Sequence, residues 1–455
     1  MTVTETPGRF TAKTSPEEVI RRVNEEGVRF IRLWFTDILG RPKSFEITPS
    51  ELEGALSNGM GFDGSSITGF NSIEESDMVA VPDPDTFAIM PWEVGGQKIA
   101  RLICDVHIPG TYEPYEGDPR YVLRRALDRM TSMGFDTYNV GPELEFFLFE
   151  DASPNIKTLD AGGYFDLTTL DQYGAVRKEA VLALEALGIP VEYSHHEVAP
   201  SQHEIDIRYA PGLEMADHAL TYRVVVKEVA SRNNMYATFM PKPLVGENGS
   251  GMHTHQSLFK DGVNAFYSAD SEYHLSDTAR SYIAGILHHA REISLVLAQT
   301  VNSYKRLVPG YEAPVYVAWS RRNRSALIRV PHYHPGHEQA TRMELRCPDP
   351  AANPYLAFAV MLQAGLEGIE KGYELEEPME RNLFDITHEQ RRELGIESLP
   401  GSLGEAITAA EESEFLLKAL GEHVYSRLLE LKRREWDEYR LEVTPWELEN
   451  YLPVM

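Results

Sequence analysis

Two glutamates two residues apart in an apolar run, Gly141-Pro142-Glu143-Leu144-Glu145-Phe146-Phe147, are the first residues whose types and spacing suggest chemistry. On a strand, side chains alternate faces, so Glu143 and Glu145 share one face while Leu144 and Phe146 turn into the core. Two carboxylates held side by side repel unless a cation lies between them. Alone, the pair fits a strand with one wet face slightly better. Three further segments change that balance. In His195-His196-Glu197-Val198-Ala199-Pro200-Ser201-Gln202-His203-Glu204-Ile205-Asp206, Glu197 and Glu204 flank a proline-containing bend, and Glu204, Asp206 and Arg208 alternate onto one polar face. In Gly249-Ser250-Gly251-Met252-His253-Thr254-His255, the two histidines share a face, and Arg342-Met343-Glu344-Leu345-Arg346 repeats the alternation. Five carboxylates and a histidine on strand faces suit a hard or borderline cation such as Mg²⁺ or Mn²⁺. Neither an HExxH motif nor a cysteine pair offers a zinc alternative; Cys104 and Cys347 are the only cysteines.

Anion chemistry is suggested separately. Residues 301–350 hold Lys305 and seven arginines against Glu312, Glu338, Glu344 and Asp349, within a chain of net charge −27. The arginines are interleaved with strand-like apolar residues, a pattern for an anion site rather than a solvated face. The overall negative charge argues against a nucleic-acid partner. No Walker A or kinase-type glycine loop is present, so a nucleotide site must be of another kind. The glycine-rich run 246–251 lets backbone approach a small ligand closely. No apolar run reaches membrane-spanning length and the first residues lack a signal-peptide core, so a cytoplasmic enzyme is expected.

The elements that must position these groups follow from capping and periodicity. Ser15-Pro16-Glu17-Glu18 reads as a capping box opening a helix to Gly27. Strands are expected at 28–36, 43–47, 87–93 and 98–106, a small α+β domain over residues 1–112. A loop at 110–118 precedes a helix capped by Asp118. Residues 113–455 then alternate strands, at 137–149, 191–197, 203–209, 235–240, 252–259, 315–319, 326–330 and 342–346, with helices at 171–187, 213–232, 276–299, 354–370 and 403–440. A second capping box, Thr444-Pro445-Trp446-Glu447, opens a tail helix.

The motifs FDGSS (62–66), GPELEFFLF (141–149), HHEVAPSQHEID (195–206), NGSGMHTHQS (248–257), YKRLVPGYEAP (304–314), NRSALIRVP (323–331) and RMELRCPDPAANPYL (342–356) resemble those of the bacterial type I glutamine synthetases, in the same order and over nearly the whole chain. The resemblance implies an α+β protein with an N-terminal β-grasp domain and a C-terminal catalytic domain built on a curved antiparallel sheet. It implies ATP-dependent joining of ammonia to L-glutamate through γ-glutamyl phosphate, with two Mg²⁺ or Mn²⁺ ions per site. One ion would be held by Glu145, Glu197 and Glu204, the other by Glu143, His253 and Glu344. Arg324 and Arg329 would stabilise the moving phosphoryl group. Glu192, His255, Ser257 and Arg342, with Arg329, would hold ATP. Arg306, Arg346, Asn248, the Gly249 backbone and Glu312 would bind glutamate. Asp63 would be the base for ammonium, assisted by Ser66, Tyr164 and Glu197, and Glu312 would close a flap at Pro309–Ala313. The family assembles as twelve subunits in two hexameric rings, so Asp63 would serve a neighbour's site and the tail helix the opposite ring.

The chain departs from the family in places. Where longer members carry an adenylylated tyrosine, this chain has Phe384 within Asn382–Ile386, which predicts no such modification. No arginine follows the DGSS segment; Phe70, Asn71 and Ser72 stand there, which puts that form of glutamine feedback in doubt. The loop Pro331–Ala340 is long, its three histidines read as solvent-exposed, and where a lysine often lies near ATP the closest residue is Gln339. Two rival functions share most motifs: a ligase joining glutamate to a polyamine or other amine, and a non-catalytic assembly protein. Retention of Asp63, Ser66, Tyr164 and Glu312 favours ammonia over the first, and the full ligand set argues against the second.

Overall fold

Apolar runs in Val28–Thr36 and Gln97–His107 make both into strands that are buried on both faces over much of their length, and they pair in parallel at the centre of the first sheet. In the computed structural model, which describes residues 13–70, 77–167, 169–311, 313–323, 325–381, 383 and 387–455, that sheet runs in the order Pro42–Ile47, Val28–Thr36, Gln97–His107, Asp77–Pro82, Met60–Asp63, with Ala88–Val94 also on Gln97–His107. Helices Pro16–Glu26 and Leu52–Asn58 cover one face, burying Val19, Val23, Leu52 and Ala55 against Ile31, Leu33 and Leu102. Sequence reading missed Leu52–Asn58, Met60–Asp63 and Asp77–Pro82, which are short and carry no clear period. At Ser15 only half the expected capping box forms. Its hydroxyl accepts from Glu18 N, but the Glu18 carboxylate is taken by Arg21 Nε at 2.9 Å. At Thr444 both halves form.

The second sheet has ten strands, centred on the 13-residue strand Thr137–Phe149. Met252–Lys260 and then Met343–Leu345, Ala326–Arg329 and Tyr316–Ser320 follow on one side; Gln202–Ile207 and Val191–His196 follow on the other. All these pairings are antiparallel except the parallel edge pair Tyr316–Ser320 with Ala326–Arg329. Helices Gly212–Arg232, Asp277–Leu297 and Pro354–Lys371 join the core beneath it; the last is buried on every side, from Pro354 to Gly368. No helix among the described residues is long and apolar enough to cross a membrane.

The single helix expected over 403–440 is three: Leu403–Glu411, Glu414–Leu420 and Glu422–Tyr439. Ser413 caps the second by accepting from Leu416 N at 2.8 Å. Gly421 divides the second from the third at φ +82°, a conformation that L side chains rarely adopt. The apolar period continued through both breaks, so periodicity alone ran them together.

Candidate active site

Segments separated by up to two hundred residues reach one cleft of about 260 Å³ on the second sheet. Strand register does the assembling. Glu143 lies opposite His253, Glu145 opposite Glu204, and His255 opposite Glu344. All six expected ligand residues line the cleft, together with Tyr164, Asn248, Gly249, Arg306, Arg329 and Arg346. An adjoining cleft of about 270 Å³ is lined by Glu192, His255, Ser257 and Arg342, with Gln339 at its edge. Glu143, Tyr193 and Asp206 line both clefts and so form their shared wall. A larger cleft, about 930 Å³ around Arg120 and Asp217, contains none of these residues. Donor chemistry, not volume, identifies the site.

The electrostatics are those of a cation site. Burial, then the neighbouring Glu197 charge, pushes the Glu145 carboxyl well above its ordinary range. Burial, then Asp206 and Glu145, does the same to Glu204. Burial and Glu143 push Asp206 up to about 7. Glu143 escapes: burial raises it, but hydrogen bonds from His253 and His255 outweigh burial and hold it well below the usual range. His255 Nε2 donates to Glu143 Oε1 at 3.0 Å while its Nδ1 accepts from Arg342 Nε at 3.1 Å, which fixes the tautomer. Burial, then Arg346, pushes His253 down to about 4, leaving a neutral imidazole with a lone pair to offer. Glu344 accepts from Arg346 Nη1 at 2.8 Å and from Arg329; against burial, the neighbouring His255 and then Arg346 hold its carboxyl low.

Two groups of three donors lie within 4.8 Å of one another here: His195, Glu197 and Glu204, and Glu143, His255 and Glu344. They overlap the expected sets without matching them. His195 stands where Glu145 was expected, with Nε2 3.1 Å from Glu204. One Glu145 oxygen is taken by Gln202 Nε2 at 2.9 Å and Gly251 N at 3.0 Å. Clustered carboxylates beside imidazole nitrogens are a donor set that divalent cations fit.

A pH-dependent result follows. Glu145, Glu204 and Asp206 hold protons in the folded, metal-free protein that the unfolded chain releases. Stability of the metal-free protein therefore falls as pH rises from the ordinary carboxylate range through about 7. Saturating Mn²⁺ displaces those protons, so it raises the melting temperature more at about pH 8 than at about pH 5.5. An equal rise at both would show that the metal does not meet these groups.

Arg306 is placed by main chain. Arg306, 3% exposed, donates to Cys347 O at 2.9 Å, Pro348 O at 3.2 Å and Arg346 O at 3.1 Å. A Cβ on Gly251 would sit 2.6 Å from Arg306 Nη2, and one on Gly249 2.2 Å from Pro241 O, so this loop packs only as glycine. Asp63 and Ser66 are exposed at the end of a first-sheet strand and line neither cleft. Bonds from Ser65 hold the Asp63 carboxyl below its usual range. Glu312 and Arg324 lie outside the described residues, as do Asn71, Ser72, Asn382 and Phe384. Tyr311, in the expected flap, does line the first cleft, and Lys242 Nζ sits 4.0 Å from its ring centre. His332, His334 and His337 are exposed.

Sequence reasoning gave no role to His195, Tyr193, Gln202, Asp206 or Tyr311, all in the first cleft. For Asp206 the signal was available: it follows Glu204 by two residues on one strand face. His195 is found only through its cross-strand register with Glu204.

The chain is similar to known proteins over nearly its full length. A family profile described as "Glutamine synthetase, beta-Grasp domain" matches residues 27–109, and one described as "Glutamine synthetase, catalytic domain" matches residues 116–451. The chain is 53% identical over 445 residues to a glutamine synthetase of Methanosarcina mazei, covering 97% of this chain and 98% of that protein. It is 51% identical over 439 residues to one of Thermotoga maritima, covering 96% and 99%. Among solved structures, "GmaS/ADP complex-Conformation 1" matches with a TM-score of 0.87 at 32% identity, covering 96% of this chain and 99% of that one. A Plasmodium falciparum glutamine synthetase matches with a TM-score of 0.86 at 26% identity, covering 97% and 99%.

Proposed function

The chain belongs to the glutamine synthetase family and is a glutamate–ammonia ligase, and on that premise we propose how its residues divide the work. The family uses ATP and divalent metal ions. Two such ions, Mg²⁺ or Mn²⁺, would be held by Glu145, Glu197 and Glu204 and by Glu143, His253 and Glu344, where they offset charge on the phosphates and the phosphorylated substrate. Glu192, His255, Ser257 and Arg342 hold ATP in the adjoining cleft. Arg306, Arg346, Asn248 and the Gly249 main chain hold glutamate in the first. The glutamate side-chain carboxylate attacks the terminal phosphorus of ATP and ADP leaves. Arg329 and Arg324 match the charge that develops on the phosphoryl oxygens. Ammonia then attacks the acyl carbon and phosphate leaves. Asp63, with Ser66, Tyr164 and Glu197, takes the proton from ammonium, while Glu312 closes the flap and takes a proton from the intermediate. The observation that supports this division is the shared wall of Glu143, Tyr193 and Asp206 between an acidic cleft and a cleft of nucleotide-type residues.

This reading includes a boundary at 112/113, a cytoplasmic setting and a double hexameric ring. Asp63 is exposed and lines neither cleft of its own subunit, which fits a residue that serves a neighbour. No residue of the tail helix Pro445–Tyr451 is buried, and Trp446, Leu452 and Met455 are 60%, 75% and 97% exposed, an apolar face that needs a cover. Deleting residues 444–455 should halve the mass measured by light scattering, from two rings to one; an unchanged mass removes the tail from the assembly.

Purified protein should release phosphate from ATP only with glutamate, ammonium and Mg²⁺ or Mn²⁺ together. Faster turnover with putrescine than with ammonium would overturn the ammonia assignment.

A further inference from the structure

Behind Glu204, on its strand, and Glu197, in the bend just after Val191–His196, lies a second cluster, Asp160, His196 and His203, with donor atoms within 4.8 Å of one another. His196 and His203 face each other across the ladder and are fully buried, and Asp160 is 8% exposed. The composition suggests another metal site, but hydrogen-bond geometry argues otherwise. Arg177 Nη1 lies 2.8 Å from His203 Nδ1, and a guanidinium only donates. His203 Nδ1 therefore accepts, and its remaining proton is on Nε2, where a metal would need a lone pair. His196 Nδ1 lies 2.7 Å from Glu197 O, an acceptor, and its Nε2 lies 3.2 Å from Asp160 Oδ1.

These bonds form a clamp. Asp160 Oδ1 also accepts from Ser201 N at 2.7 Å. Ser201 sits at the bend between Glu197 and Glu204 with φ +65°, a conformation costly for a residue with a side chain. Its hydroxyl accepts from Leu159 N at 2.6 Å and its carbonyl from Leu148 N at 2.9 Å. The bend is closed by Glu197 N on Gln202 O at 2.8 Å. Phe165 N donates to His196 O at 3.1 Å, and Phe165 and Tyr164 both pack edge-on against His195. One carboxylate thus ties the Glu197–Gln202 bend to the loop that carries Tyr164.

We propose that Asp160 is a positioning residue: through His196 and Ser201 it sets the main chain that aims Glu197 and Glu204 at their cation. The inference rests on the proposed function only in that Glu197 and Glu204 hold a metal. Calorimetric titration of the full-length protein with Mn²⁺ tests it, the step lost in Glu204→Gln identifying the relevant site. Asp160→Ala should weaken that step by about tenfold or more, as removal of an outer-sphere support does, and leave the other step within about threefold. Asp160→Asn, which keeps an acceptor for Ser201 and His196, should restore most of the affinity. Should Asp160→Ala fail to fold, His196→Gln serves instead, because glutamine cannot span both the Glu197 carbonyl and Asp160; the same selective loss is expected. Unchanged affinity in the variant that folds, or equal loss at both steps, overturns the proposal. So does a third bound Mn²⁺ that disappears with Asp160→Asn, which would make the cluster a metal site after all. Two Mn²⁺ steps in a protein that prefers putrescine would revise the amine and leave this result standing.

Discussion

Glu344→Gln should lower kcat/KM by about a thousandfold, a loss of roughly 4 kcal/mol in transition-state stabilisation. Glu344 is 1% exposed and stands where three demands meet. It lies 3.9 Å from His253 Nδ1, shares a donor group with Glu143 and His255, and accepts from Arg346 and Arg329. Glutamine keeps the shape and removes the charge. The cation then has a weaker ligand, and two buried or half-buried guanidiniums lose their shared counter-charge. Both arginines are thus free to settle elsewhere, and with them the proposed contacts to glutamate and to the phosphoryl group. The loss should appear in kcat more than in the KM for ATP, most of whose residues lie in the adjoining cleft. Steady-state kinetics at saturating Mn²⁺ decide it. A kcat/KM within about tenfold of the unaltered protein would take Glu344 out of the reaction.

The second large effect is on stability. Arg120 is 2% exposed, and its guanidinium donates to Asp217 at 2.9 and 3.1 Å, to Asp105 at 2.6 Å and to Asp83 at 2.8 Å. Asp83 and Asp105 belong to the first sheet's side of the molecule and Asp217 to the helix Gly212–Arg232 beneath the second, so one side chain joins the two. Arg120→Met conserves volume but leaves Asp217, 5% exposed, with the Tyr355 hydroxyl at 2.7 Å as its remaining side-chain bond. Breaking a buried ion pair from one side costs about 3–5 kcal/mol, because a desolvated charge remains without compensation. Asp83 and Asp105 lose less, since Arg124 still reaches both, at 3.0 and 2.9 Å. The apparent melting temperature should fall by roughly 3–5 °C. Adding Asp217→Asn to the variant should recover part of that fall, because it removes the stranded charge. A single variant that melts with the unaltered protein would show that the tie contributes nothing.

Much of the site was legible because strand alternation is local. The two-residue spacing of Glu143 with Glu145, of His253 with His255 and of Glu344 with Arg346 states which side chains share a face, whatever the strands pair with. Helix Pro354–Lys371 and the Thr444 cap were legible for the same reason: the informative residues lie within one or two turns of each other. The break at Gly421 was not, since an apolar period can run through a glycine and only the backbone's positive φ reveals the end of the helix.

What the chain by itself determined is the donor inventory, its facing and, through seven ordered motifs, the family. Which donors meet was a tertiary decision. Glu143 pairs with His253 and Glu145 with Glu204 because antiparallel register places residues 59 to 110 positions apart in direct opposition. No local pattern encodes that distance. The same register brought in His195, occupied Glu145 with Gln202 and set Asp160 behind the bend. Burial completed it: only in the packed sheet does desolvation raise Glu145 and Glu204 far enough that a cation becomes their natural partner.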